Sequence, residues 1–185
     1  MGQIISQDNL ILRREKWKGN GQCVVFVSGT FDLLHPGHVR LLEQARSHGD
    51  VLVVGVKSDG SFRSHPQKND SEKNDPEKFG VNRSRPVTPS AERAEILASL
   101  ASVDIVVEYE DLSTASLIAR LAPDIIVEGG VPTAAAQGQG LGQRLGTEVT
   151  GEATREKQTP KVVRIILEPG YSTARIIERI QQVSA

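Results

Sequence analysis

The stretch Gln22–Val56, QCVVFVSGTFDLLHPGHVRLLEQARSHGDVLVVGV, decides the fold. It opens on an unbroken apolar run, Cys23 to Val27, that ends in the small residues Ser28 and Gly29. A continuous run without alternation marks a parallel strand buried on both faces. A helical pattern follows. Val39, Leu41, Leu42 and Ala45 supply its apolar face, Pro36 suits the first turn, and Gly49 is a natural stop. Asp50–Val56 is a second buried run. Strand, helix, strand in this order is the crossover unit of a parallel sheet, and its hand is expected to be right.

The same alternation continues downstream. Ser90–Ala101 reads as a helix with Ser90 as its N-cap and Arg93 on the third helical position. Val103–Tyr109 reads as a strand, Asp111–Ala122 as a helix, and Pro123–Gly130 as a strand running into Gly129 and Gly130. Lys161–Gly170 reads as a last strand and Ser172–Val183 as a last helix. The expected fold class is α/β: a single domain built on a Rossmann-like, doubly wound parallel sheet with helices on both faces. The domain is placed at residues 21–185, with residues 1–20 as a helical or extended lead-in. Two segments break the alternation. Residues 61–85 are polar and carry mixed charge, and read as an inserted surface loop. Residues 133–160 are rich in Gly, Ala and Thr, with a weak helical pattern over Ala134–Leu145.

Composition excludes several classes of function. The chain has 185 residues, with 22 Lys and Arg against 23 Asp and Glu, for a net charge of -1. No basic footprint of a nucleic-acid binder is present. No apolar run approaches the roughly 20 residues of a membrane span. Charges interrupt the N-terminal run, so it reads as neither signal peptide nor span. Gly2 and Ser6 fit the N-myristoylation pattern, which chance explains better. Cys23 is the only cysteine, which leaves no internal disulfide and no cysteine cluster for zinc. A cytoplasmic setting is expected.

His35 and His38 frame Pro36 and Gly37 at the carboxyl end of the first long strand, where open parallel sheets bind their ligands. Four readings compete for the pair. A zinc site needs further His, Cys or carboxylate ligands, and only Asp32 is near. A nucleophilic site needs a paired Ser or Cys, and Ser28 lacks the GxSxG context. Two plain histidines at a helix start are the bland reading. The fourth is a phosphate cradle, in which free N–H groups of the first helical turn and two imidazoles face one anion, and Gly37 leaves it room.

SGTFDLLHPGHVRLLEQARSHGDVLVVGVKSD resembles the signature of the cytidylyltransferase-like nucleotidyltransferases, with His35, Gly37 and His38 filling their HxGH motif. Within that superfamily the chain is most similar to the heptose-1-phosphate adenylyltransferases. The runs RPVTPSAERAEILASLASVD, PDIIVEGG and GYSTARIIERI carry the likeness, from about Trp17 to Gln181. The resemblance implies in-line transfer of a nucleoside monophosphate, AMP from ATP, to a sugar phosphate such as heptose 1-phosphate, with release of pyrophosphate. Mg²⁺ is expected to be held through the nucleotide phosphates rather than by a protein cage.

Roles for the residues follow from the resemblance. His35, His38 and Arg63 are the expected catalytic residues. Gly29, Thr30, Phe31, Asp32, Gly37, Gly129, Gly130, Ser172 and Thr173 are expected at the nucleotide. Arg85 and Arg93 are expected at the acceptor phosphate. Plain alternatives stand beside several of these: a turn aspartate for Asp32, N-capping for Ser172 and a surface ion pair for Arg93. A homodimer is expected from the family alone. The chain also departs from its relatives. Glu128-Gly129-Gly130-Val131-Pro132 stands where the heptose group usually reads Lys-Gly-Gly-Asp-Tyr. Two alternatives remain open: a CTP-dependent enzyme for a phosphorylated alcohol, and a nucleotide-binding protein without transferase activity.

Overall fold

A computed structural model describes residues 1–64, 86–110, 114–130, 159–166 and 170–183, without the side chains of residues 62–64. The elements in chain order are β1 (Gln3–Ile4), α1 (Gln7–Gly19), β2 (Val24–Gly29), α2 (Pro36–Arg46), β3 (Val51–Lys57) and α3 (Asp59–Ser64). After these come α4 (Ser90–Ser99), β4 (Ile105–Tyr109), α5 (Thr114–Leu121), β5 (Ile125–Gly130), β6 (Lys161–Ile166) and α6 (Thr173–Val183). All six strands join one sheet in the order β1-β4-β3-β2-β5-β6, and every pairing is parallel. The expected doubly wound α/β class is the fold observed.

Continuous apolar strands have two faces to cover, and the helices divide between them. Leu41, Leu42 and Ala45 of α2 and Ala94, Leu97 and Ala98 of α4 pack on one face, against Val25, Val27, Leu52 and Val54. Leu10 of α1 and Leu117, Ile118 and Leu121 of α5 pack on the other, against Val24, Phe26, Val53 and Ile105.

Three aspartates fix the amino end of the sheet. Each stands just before a strand and accepts an N–H from the chain beside it. Asp50 takes Cys23 N–H at 2.8 Å, Asp104 takes Leu52 N–H at 2.7 Å, and Asp124 takes Val24 N–H at 2.7 Å. Charge-assisted bonds of this kind hold the strand starts in register. Functional loops are thereby left to the opposite end.

Three local expectations change. Residues 1–20 are built into the fold: β1 pairs with β4, and Leu10 is fully buried. Gly2 donates its N–H to Ala98 O at 2.8 Å, and a Cβ there would sit 2.6 Å from Val103 O. Ser90 is the first residue of α4 rather than its cap, since Pro89 holds the cap position. The Asp59 carboxylate accepts Ser90 N–H at 3.0 Å from outside, which leaves the Ser90 hydroxyl to Glu108 at 2.6 Å. The segment read as a loop from residue 61 begins inside α3. Its remainder, residues 65–85, and the weak helix over Ala134–Leu145 lie outside the described residues.

Candidate active site

In a doubly wound sheet the chain reverses its direction of winding at one point, and a crevice opens there. Here β2 is followed on one side by β3 and on the other by β5. Val27 pairs with Val127, so Gly29 at the end of β2 runs level with Gly129 at the end of β5. Gly130 is exposed, and a Cβ on it would meet nothing within 4 Å. Among the described residues the crevice mouth is therefore open at Gly130.

Between β2 and α2 the chain makes a strained turn. Phe31 has φ 53° and Leu33 φ 47°, in the left-handed region that side chains other than glycine rarely adopt. Such strain persists only where the surroundings hold it, and it collects at functional sites. Asp32 lies between the two strained residues and is buried. Its carboxylate accepts Val87 N–H at 3.0 Å and Thr88 N–H at 3.1 Å. Its carbonyl accepts the Thr173 hydroxyl at 2.8 Å. Asp32 thus ties three separate segments together.

The turn delivers the two histidines. His35 is the N-cap residue of α2, in extended conformation, and makes no side-chain cap bond. Its ring lies on the ring of His38, with centroids 3.8 Å apart and planes 15° apart. Phe31 meets His38 edge-on at 5.4 Å. Burial pushes His38 down to about 4; His35 beside it adds to this effect and Asp32 opposes it. Burial also lowers His35, against a smaller opposing effect of its own backbone. Both imidazoles are therefore neutral near pH 7, and each keeps one N–H donor and one acceptor nitrogen. Among the described residues no other residue bonds to either Nδ1. Pro36 has no N–H, and the His38 N–H bonds to His35 O at 2.9 Å, so of the opening turn the Gly37 N–H is the one left beside the two neutral rings, which can take a phosphate without adding fixed charge.

The other expected residues fall into place unevenly. Phe31 is buried in the core below Gly29, with its ring 3.1 Å from where a Gly29 Cβ would stand, so it supports the site rather than lining it. The space beside Gly37 is closed: a Cβ there would meet the His35 ring and Tyr171 Cβ, both at 3.1 Å. Gly37 thus lets the turn pack, in place of the phosphate gap expected of it. Thr30 presents its carbonyl to Arg93. Arg93 is 1 % exposed and held on all sides: it donates to Thr30 O, to Thr88 O at 2.8 Å and to Asp59 at 2.5 Å. The fork is occupied by protein, so Arg93 is a brace between loops and not the acceptor-phosphate ligand expected. Ser172 accepts Arg175 N–H at 3.2 Å and so caps α6, while Thr173 holds Asp32. Arg63 falls on α3, with its side chain outside the described residues, and Arg85 lies outside them altogether. Glu128 pairs with Arg164 of β6 at 3.3 Å. Among the described residues no group of three His, Cys, Asp or Glu side chains is placed to hold a metal ion.

Sequence reading missed Asp59 and Tyr171. Asp59 carries both the Arg93 pair and the N–H of Ser90. Tyr171 lies 6.5 Å from the His35 ring, with the guanidinium carbon of Arg40 5.2 Å from its own centroid. The aromatic residue directly before Ser172-Thr173 was the available signal for Tyr171.

Known proteins share both the sequence and the architecture. The chain is 37% identical over 179 residues to the bifunctional protein HldE of Acidiphilium cryptum (strain JF-5), covering 97% of this chain and 31% of that protein. It is 34% identical to HldE of Methylobacillus flagellatus over 178 residues, 96% of this chain and 31% of that one. The chain thus spans about a third of the length of these relatives. A lipopolysaccharide core biosynthesis protein from Thermoplasma volcanium GSS1 shares the fold with a TM-score of 0.57 at 23% identity, over 80% of this chain and 99% of the other. A pantoate-beta-alanine ligase from Francisella tularensis does so at 0.55 and 16%, over 98% of this chain and 80% of the other. The cytidylyltransferase-like family pattern matches residues 26–179, from the strand that precedes the histidine turn to the last helix, and the chain belongs to that family.

Proposed function

We propose that the protein is a nucleotidyltransferase that moves AMP from ATP to a sugar phosphate such as heptose 1-phosphate, releasing pyrophosphate. One observation carries the reading: two stacked, neutral imidazoles stand at the start of α2, in the turn that leaves the carboxyl end of β2. The HldE relatives and the likeness to heptose-1-phosphate adenylyltransferases favour the sugar acceptor.

In this reading an acceptor phosphate oxygen attacks the α-phosphorus of ATP, the α–β bridging bond breaks, and pyrophosphate leaves with the electron pair. No side chain need act as nucleophile. The protein positions two anions and stabilises charge that builds on the α-phosphate. The His35 and His38 rings and the Gly37 N–H are the donors assigned to that charge. A preorganised donor of this kind is worth about 2.7–4 kcal/mol in the transition state. Asp32 and Arg93 hold the turn that aims them. Mg²⁺, when bound, neutralises the phosphates. The residues present suit an ion carried in by the nucleotide, because Asp32 and Asp59 are both engaged by protein N–H groups.

The test is pyrophosphate release with a panel of ATP and CTP against heptose 1-phosphate and glycerol 3-phosphate. ATP with the sugar phosphate is expected to turn over fastest. A CTP preference with the alcohol phosphate would move the protein to the cytidylyl branch. Nucleotide binding by calorimetry without turnover on any acceptor would leave a nucleotide-binding protein and overturn the proposal.

A further inference from the structure

A working histidine is usually oriented by a hydrogen bond to its second ring nitrogen. Among the described residues no other residue supplies this device to His35 or His38: both Nδ1 atoms are buried without such a partner. What surrounds the rings instead is a row of side chains. Phe31 meets His38 at 5.4 Å, His38 stacks on His35 at 3.8 Å, and Tyr171 faces His35 at 6.5 Å with its plane tilted by 23°. Arg40 continues the row, 5.2 Å over the Tyr171 ring. The Phe31–His38 and Tyr171–His35 separations lie in the range of aromatic pairs and the Arg40 separation in that of a cation over a ring, while the two imidazoles stack in closer face contact.

The two ends of the row are held differently. Phe31 is buried in the core and fixed by its strained backbone. Tyr171 is 39 % exposed, and its place is set by three contacts. Its Cβ abuts the space beside Gly37, Arg40 covers its ring, and Thr173, two residues on, is bonded to Asp32. A side chain larger than hydrogen at residue 37 would push Tyr171 and His35 apart.

We propose that Phe31 and Tyr171 are bookends that orient the imidazole pair by ring packing, with Tyr171 a positioning residue for His35 and Arg40 the cation that pins it. The inference rests on the histidine turn being the nucleotidyl-transfer site. Tyr171 needs no contact with the nucleotide to matter, since it acts through His35.

Substitution of the exposed end tests this without disturbing the core. Two readouts apply to Tyr171→Leu: the imidazole resonances of His35 by NMR, and the kcat and KM of pyrophosphate release. The expected result is a shift of the His35 ring signals, loss of the ring-current contribution, and a kcat lower by about 10- to 100-fold with KM for the nucleotide changed far less. Tyr171→Phe should restore both, since the ring and not the hydroxyl packs. Arg40→Gln should move both in the same direction by less. Unchanged His35 signals overturn the proposal, even where kcat falls. So does an unchanged kcat in an active enzyme whose His35 signals have moved. If the wild-type chain transfers no nucleotide to any acceptor, the functional reading fails while the NMR arm still decides the bookend.

Discussion

Neutrality of the histidines is the property that single residues contribute, and it has consequences in pH. An unfolded histidine titrates near 6.5. In the fold, burial beside His35 pushes His38 down to about 4, and His35 is lowered as well. Between those values the unfolded chain binds protons that the folded chain does not. Stability is therefore complete above pH 6.5 and falls as pH drops through 6.5 toward 4. The urea midpoint is expected to be lower at pH 5 than at pH 7, and His38→Gln should shrink that difference. An equal difference in the variant would assign the pH dependence to other groups. The two histidines were legible from their spacing and their position after a buried strand. Their stacking was not, because it depends on Phe31 and Tyr171, which sequence order places on opposite sides of the chain's length.

At the scale of elements, strand ends and helix caps set the register and aim of the site. The aspartates before β3, β4 and β5 bond across to neighbouring strands, and Asp104 also pairs with Arg46 at 3.1 Å. Asp104→Ala leaves the Leu52 N–H without its acceptor and is expected to cost about 1–3 kcal/mol by chemical denaturation. A change below a few tenths would show that water replaces the carboxylate freely. Ala122, which follows α5, has φ 44° and donates its N–H to Ile118 O at 2.8 Å. Glycine suits that cap conformation, so Ala122→Gly should stabilise the protein by about 0.5–1 kcal/mol. Destabilisation would mean that the alanine methyl packs usefully there. The strands β2 to β5 were plain in the sequence because short apolar runs alternate there with helical patterns, whereas the two-residue β1 carried no such signal. The role of the Asp-Val and Asp-Ile pairs at their starts was hidden, since the acceptor's partner lies on another strand. Ser90 was misread for the same reason: the carboxylate that serves its N–H comes from Asp59, 31 residues earlier.

For the whole molecule, the central feature is that loops from separate strands are locked to one another around the switch point of the sheet. Arg93 is the brace. It joins the loop after β2 through Thr30, the segment before α4 through Thr88, and the start of α3 through Asp59. Arg93→Met removes one partner of a nearly buried ion pair. Because Asp59 is partly exposed, the loss should fall toward the lower end of about 3–5 kcal/mol. Activity should fall with it as the histidine turn loosens. A stable Arg93→Met protein with unchanged nucleotide affinity would return Arg93 to the role of a dispensable surface-type pair. From sequence alone Arg93 looked available to a substrate, since an arginine's burial is decided by where three distant loops meet. The parallel sheet and the placement of the site after its first long strand were legible, because they follow from the alternation of strands and helices, whereas the strand order came only from the structure. In the proposed function the two imidazoles receive nucleotide phosphate, and the ring-nitrogen NMR spectrum of His35 and His38 during titration with ATP tests this. Saturable shifts at both histidines are expected, with the His38 pKa rising from about 4 as phosphate charge arrives. Saturation with ATP by calorimetry while both sets of ring signals stay unmoved would contradict it.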